Sequence, residues 1–485
     1  MTSDITRDSF DPYLHYTRVV MQQGRVQLDA DWNEQVEITE RYLRTLAADL
    51  IGPFGGPKDD CGFAVGTDRA VLTGMTGKYG LPLEQARVDE IGKRLDNGDF
   101  LIGPGRYYVY GWLVENDGPV TYSEQVGYPF DDETTLEKVR GANAFLIYLD
   151  VWERSVTGVE NPDLVEVALG GVDTATRAQL VWQVKILRGT TTMSCSSTAT
   201  LKRTRPPFLR ARASQPAQQP DVCVIDPAAR YRGAENQLYR VEIHRGGPAR
   251  PAGATAGGAT FKWSRENGSV VFPVLDLAEN TGTNETTAEL ATLGRDRRLG
   301  LVTEDWVEIV DDGYALRAAA EPLHLVERID RDGLTAVLAG LGPAGTGQDQ
   351  ALHPLLRRWD HDASDPATSD QGALLVTESA DAAGGWIELE DGVQIQFPVS
   401  AVTGEPNEYR TGDYWLIPAR TATGDVIWPR RQVGDQVEWE ARPPNGVEHH
   451  YAPLAVASVD DNGRWTFTSP DCRKQFDSLP GVKTP

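Results

Sequence analysis

Histidines flanked by acids are where this chain could carry chemistry. His449 and His450 follow Glu448 in EHHYAPL, a grouping able to orient an acid–base pair, and His361 stands between Asp360 and Asp362 in RRWDHDASD, with Asp365 close behind. Neither has a spacing that fixes a reaction. The second lacks the HExxH and EF-hand patterns and reads as a solvated turn, while Tyr451 and Pro453 make the first a stiff lead into the strand LAVASV. Gly340, Gly342 and Gly345 spell GxGxxG after LTAVL. A phosphate cradle needs a helix opening at that turn, and Pro343, Gly347 and Pro354 predict a continuing loop instead. Glu304, Asp305 and Glu308 around Trp306 offer paired carboxylates of the kind glycosidases use, but neighbours along one strand do not set the separation across a scissile bond. Cys61, Cys195, Cys223 and Cys472 form no CxxC, so neither a zinc site nor a disulfide framework is signalled; a reduced compartment fits, and one pair remains free to bridge. The expectation is therefore no catalytic residue, no metal and no cofactor.

The elements around these residues speak for assembly. Trp32, Val36, Thr39, Leu43, Leu46 and Leu50 recur at alternating spacings of four and three, which lines them along one side of a helix. Asp29 and Asp31 suit its first turn, and Gly52, Pro53, Gly55, Gly56 and Pro57 end it abruptly. Such a stripe docks either on the chain's own β-rich body or on a partner subunit. KWSRENGSV at 262–270 places Lys262, Ser264 and Glu266 on one strand face and Trp263 and Arg265 on the other, around an Asn267-Gly268 turn. Read as a projecting hairpin, it makes Lys262, Arg265 and Asn267 contact residues beside Trp32, Val36, Leu43, Leu46 and Leu50.

Further Asx-Gly pairs at 332–333, 391–392 and 462–463 also predict hairpins. The cleanest is WIELEDGVQIQF at 386–397, where strict alternation gives one buried and one wet face. Pro273 predicts an edge or terminal position, and GDYWLIPAR at 412–420 a central buried strand. The fold class expected is mainly β: an N-terminal helical arm, 1–58, followed by β-sandwich or barrel-like domains at 59–195, 223–345 and 346–485. Residues 196–222, with five Lys and Arg and no acid before Asp221, read as a basic Pro-rich linker. The stretch 246–259 reads as a long loop and 341–354 as a domain boundary.

With 71 acidic and 47 basic residues the chain carries a formal charge of −24, a field that repels phosphate backbones and favours cationic partners, so nucleic acid is not expected as a partner. No run of about 18 apolar residues predicts membrane insertion, and the N-terminus lacks a basic segment followed by an apolar one, so synthesis is expected in the cytoplasm.

MQQGRVQLDADWNEQ at 21–35, YLDVWER at 148–154, DTATR at 173–177, VWQVK at 181–185, KWSRENGSV and GDYWLIPAR together resemble an uncharacterised bacterial family encoded beside phage-tail-like contractile injection systems. That resemblance implies a non-enzymatic component of such a particle, peripheral to its tube or baseplate. Its partners would be other particle subunits or further copies of itself, and the finished particle would leave the cell by lysis. A fibre-like surface module that binds a glycan or a protein, or particle cargo, is the alternative.

Overall fold

A computed structural model describes residues 2–141, 144–189, 193–214, 230–250, 257–365, 368–400, 406–434, 436–467 and 471–477. The chain is mainly β, as its strand-like runs and Asx-Gly turns predict, and its strands gather into three bodies.

In the first, Arg177–Arg188, Phe145–Val156, His450–Val459 and Trp465–Phe467 lie side by side in that order. The first two stay in unbroken antiparallel register from Arg177 opposite Val156 to Arg188 opposite Phe145. A smaller sheet, with Phe54–Pro57, Gly105–Val109 and Trp112–Asn116, covers the same core of Phe100, Tyr107, Leu149, Val184, Leu454 and Trp465. The second body is a sandwich. A six-stranded sheet centred on Thr260–Ser264, Gln237–Arg245 and Tyr414–Arg420 faces a sheet built from Arg210–Ala213 and Val393–Pro398, and Phe261, Ile395, Phe397 and Trp415 fill the space between. The third body is a closed six-stranded barrel between Val271 and Trp359, packed inside by Phe272, Leu290, Val307, Val326, Leu338 and Leu356.

Strand pairing overrides the expected domain limits. Leu355–Trp359 closes the barrel, Tyr414–Arg420 belongs to the sandwich, and His450–Val459 returns to pair with Phe145–Val156, so the 346–485 segment is shared among all three bodies. The 341–354 loop lies within the barrel sequence, with the buried Thr346 and with the Gly347 amide donating to Asp311 Oδ2 at 2.8 Å. Local composition carries no trace of partners that lie hundreds of residues away. The expected linker 196–222 is likewise structured where described. Residues 210–213 form a strand against 393–396, Arg203 is paired with Asp413 at 2.7 Å, and Arg212 lies over the Trp386 ring. Residues 215–222 of the linker and 251–256 of the 246–259 loop lie outside the described residues, as does Cys223.

The turn pairs fare unevenly. Asp391 and Gly392 take φ of 49° and 81° and join Ile387–Glu388 to Val393–Pro398, the predicted hairpin. Asn267 and Gly268 also take positive φ, 52° and 67°, but they carry the chain out of the sandwich and into the barrel rather than back along a partner strand. Pro273 lies near the start of a barrel strand, opposite Leu355. Cys195 and Cys472 form a disulfide across 277 residues, a link that spacing does not reveal. No helix among the described residues is long and apolar enough to cross a membrane.

Candidate docking surface

The long helix runs Asp29–Ile51, within the limits its acids and glycines predict. The Asp31 carboxylate accepts the Leu28 amide at 3.2 Å, and at the far end Gly52, with φ of 97°, donates its amide to Ala48 O at 2.8 Å. Only Ala30 and Ile38 are buried. The predicted stripe faces outward: Trp32 is 63% exposed, Leu50 77%, and Val36, Leu43 and Leu46 are exposed as well. The stripe therefore does not dock on the chain's own body.

What holds the helix is a different set of contacts. Residues 2–9 thread the junction of the bodies. Ser3 Oγ lies 2.9 Å from Ser155 Oγ and 2.8 Å from Thr176 Oγ1, its carbonyl accepts from Asn267 Nδ2 at 2.8 Å, and the Thr6 carbonyl accepts from Arg420 Nη2 at 2.9 Å. The same peptide grips the helix start, where Asp29 accepts from Thr6 N and Oγ1 at 2.7 and 2.6 Å and Glu34 from Ser9 Oγ at 2.7 Å. Near the other end the Arg44 guanidinium lies 3.2 Å from the centre of the Trp112 ring, a cation–π contact. Gly111, with φ of 84°, allows it, because a Cβ there would stand 2.1 Å from the Arg44 carbonyl oxygen.

At this second anchor an open groove of about 530 Å³ runs along the C-terminal half of the helix, with Leu43, Leu46 and Leu50 on one wall and Tyr108, Trp112 and Leu113 on the other. The second wall escaped sequence reasoning, since its hairpin reads as ordinary core strand. Ahead of the helix, Tyr16, Val20, Met21, Val26 and Leu28 are also exposed on a stretch without helix or strand. Beneath the helix, burial raises the Glu37 carboxyl to about 8, with Asp8, Glu40 and Glu153 adding repulsion.

The second predicted contact set is used internally. Lys262 is 4% exposed, and its ammonium bonds Glu308 at 2.7 Å and lies 3.4 Å from Glu242. Glu308 also accepts from Tyr314 Oη and Trp359 Nε1, both at 3.0 Å. Burial alone would raise the Glu308 carboxyl, but Lys262, His244 and Arg357 hold it at about 2. Asn267 is 1% exposed, and Arg265 pairs with Asp360 and Glu390. The projecting hairpin is thus a buried joint between sandwich and barrel. Sequence could not reveal it, because Glu308 stands 46 positions from Lys262.

The other chemical candidates separate in the same way. His361 is buried, not a solvated turn: its Nε2 meets Gly372 O at 2.7 Å and burial pushes it down to about 4. Among the described residues no cluster of three or more His, Cys, Asp or Glu is placed to hold a metal. After Gly340 and Gly345, both at positive φ, the chain runs on as a loop to the short 3-10 turn Gln350–Leu352 rather than into an α-helix. Glu308 is 4% exposed and is committed to the joint through Lys262, Tyr314 and Trp359. His449 bonds the buried Asp150 at 2.8 Å and stacks on Trp152, while His450 stacks on Tyr110.

A model described as a family of unknown function (DUF6519) matches residues 1–200 and 197–482, nearly the whole chain. No curated protein and no solved structure matches.

Proposed function

We propose, for a chain that belongs to DUF6519, a family of unknown function, a non-enzymatic structural role: a subunit of a phage-tail-like contractile particle, peripheral to its tube or baseplate and attached through its long helix. The uncovered stripe carries this reading. Soluble domains seldom leave Trp and Leu at heptad spacing open to water beside a further apolar wall, and such a patch marks an interaction surface. A large apolar side chain contributes roughly 1.5–3 kcal/mol on full burial, so Trp32, Val36, Leu43, Leu46 and Leu50 together outweigh ordinary ordering costs. The complementary surface is therefore an apolar ridge on a neighbouring subunit. The resemblance of its motifs to a family encoded beside injection systems suggests the particle, and the Cys195–Cys472 disulfide suits one released from the cell.

The test is incorporation. Particles purified from the native bacterium are expected to contain the chain at a copy number matching a simple symmetry, and Leu43→Asp with Leu46→Asp to remove it from them while the soluble variant keeps its circular dichroism. Wild-type chain absent from the particles, or the double variant incorporated normally, would defeat the reading.

A further inference from the structure

The outer face of the sandwich's second sheet carries two arginines that the chain does not neutralise. Ala211, Val393 and Ile395 point into the core, so Arg210 and Arg212 share the opposite face with Gln394 and Gln396. Each arginine meets the glutamine across from it: Arg210 Nη1 donates to Gln396 Oε1 at 2.7 Å, and Arg212 Nε to Gln394 Oε1 at 2.9 Å. Neither has a carboxylate partner among the described residues. The acids of the adjoining strands are committed elsewhere: Glu388, in register with Gln394, pairs with Arg232 at 3.3 Å, Glu438 with Arg431 at 2.9 Å and Glu440 with Arg442 at 3.5 Å.

Asp381, whose carbonyl receives Gln396 Nε2 at 2.8 Å, has its carboxylate on the Ala383 amide at 2.9 Å. Counted against the two arginines, it still leaves one positive charge on the face. Two tryptophans frame Arg212. Its guanidinium lies 3.9 Å from the centre of the Trp386 ring and 5.5 Å from that of Trp439, and the two half-buried indoles meet edge to face at 5.9 Å. Burial pushes this guanidinium down from its ordinary value, with no carboxylate acting against the shift. With Nε fastened to Gln394, the group presents two Nη nitrogens that have no acceptor among the described residues. Arg212 is thus a fixed guanidinium fork in an aromatic corner.

We infer that this corner binds an acidic saccharide: the carboxylate of a uronate unit pairs with the Arg212 fork, the sugar ring lies against Trp386 and Trp439, and Gln394 Nε2 donates to a hydroxyl. A guanidinium fork matches a carboxylate through two parallel hydrogen bonds, and an aromatic wall with a few fixed polar groups is how small-molecule sites set orientation. One surplus charge against a field of −24 suits a sparsely charged glycan and disfavours a dense polyanion. An acidic peptide would use the fork but leave the indoles without a ring to cover. No residue of this corner lines the arm's groove, so binding here and assembly there fail separately.

Calorimetric titration of the full chain tests the assignment, with trigalacturonate, trimannuronate, the methyl ester of trigalacturonate and triglutamate as probes at one ionic strength. At least one uronate is expected to bind saturably, and the neutral ester and the peptide at least about tenfold more weakly, the weight of one charged hydrogen bond. Arg212→Gln, which breaks no ion pair, is expected to weaken uronate binding at least about tenfold with unchanged circular dichroism. Arg212→Lys, which keeps the charge without the fork, is expected to weaken it as well, by less. Lack of saturable binding by both uronates, an ester or triglutamate that binds as tightly as they do, or Arg212 variants that bind like the wild type would overturn the proposal.

Discussion

The stripe on the long helix and the turn at 262–268 carry opposite kinds of side chain, and the fold treats each opposite to first intuition. Charged and turn-forming residues are sealed at the joint of sandwich and barrel, while tryptophan and leucines face water. The difference lies in partners. Lys262 finds Glu308 and Glu242 within the chain, Asn267 finds the Ser3 carbonyl, and with those contacts burial becomes tolerable. The stripe's hydrophobic residues need no particular partner to fold; the helix is seated by Ala30, Ile38, the 2–9 peptide and Arg44. One region spends its specificity inside the molecule, and the other keeps it available outside.

Breaking the buried region should have the largest consequence. Lys262→Met leaves Glu308 and Glu242 buried with less compensation, and removing one partner of a buried ion pair costs roughly 3–5 kcal/mol. Urea denaturation of this variant is expected to show that loss; a loss below about 1 kcal/mol would mean the joint is wetter than its burial indicates. Next, Asn267→Ala takes the donor from the Ser3 carbonyl and puts a non-glycine residue without a polar side chain at φ of 52°. An unsatisfied buried acceptor costs about 1–3 kcal/mol, and hydrogen exchange in residues 2–9 should quicken before the barrel is affected.

These assignments also mark what the sequence could disclose. The helix limits were legible, since Asp31 and Gly52 act within their own turns, and so was the 391–392 hairpin, whose partners lie a few residues apart. The Lys262–Glu308 pair, the return of His450–Val459 to Phe145–Val156 and the Cys195–Cys472 bond are set by tertiary folding over long separations, and one sequence has no local mark for them. Of the site, the helix wall of the groove was legible from its period. Tyr108, Trp112 and Leu113 were not, because an alternating hairpin does not show which of its faces will be left uncovered.

A smaller effect separates the helix's inner side from its outer one through pH. Burial, aided by Asp8, Glu40 and Glu153, raises the Glu37 carboxyl from 4.5 to about 8, with Arg44 opposing. Between those values the native state holds a proton that the unfolded chain has released, so this contribution is full below about pH 4.5 and drains away as pH rises through about 8. Denaturation midpoints of the wild type, compared with Glu37→Gln at pH 5 and 8.5, should converge at the lower pH and part at the higher, with the variant more resistant. Equal pH dependence in the two proteins would remove Glu37 from the inner face.

The smallest expected effect is the most telling for the comparison. Trp32→Ser and Leu50→Ser alter two of the most exposed side chains of the stripe, and substitutions at such surface positions usually change stability by no more than about 0.5 kcal/mol. If each variant unfolds at the wild-type urea concentration, the stripe has no share in the chain's own fold and its hydrophobicity answers to something outside. If either loses about 2 kcal/mol or more, the size of a buried side chain, the helix closes onto the 105–116 hairpin in solution and inner and outer faces cease to be distinct. Near-silence in folding together with a defect in assembly is the pattern that only an external partner produces.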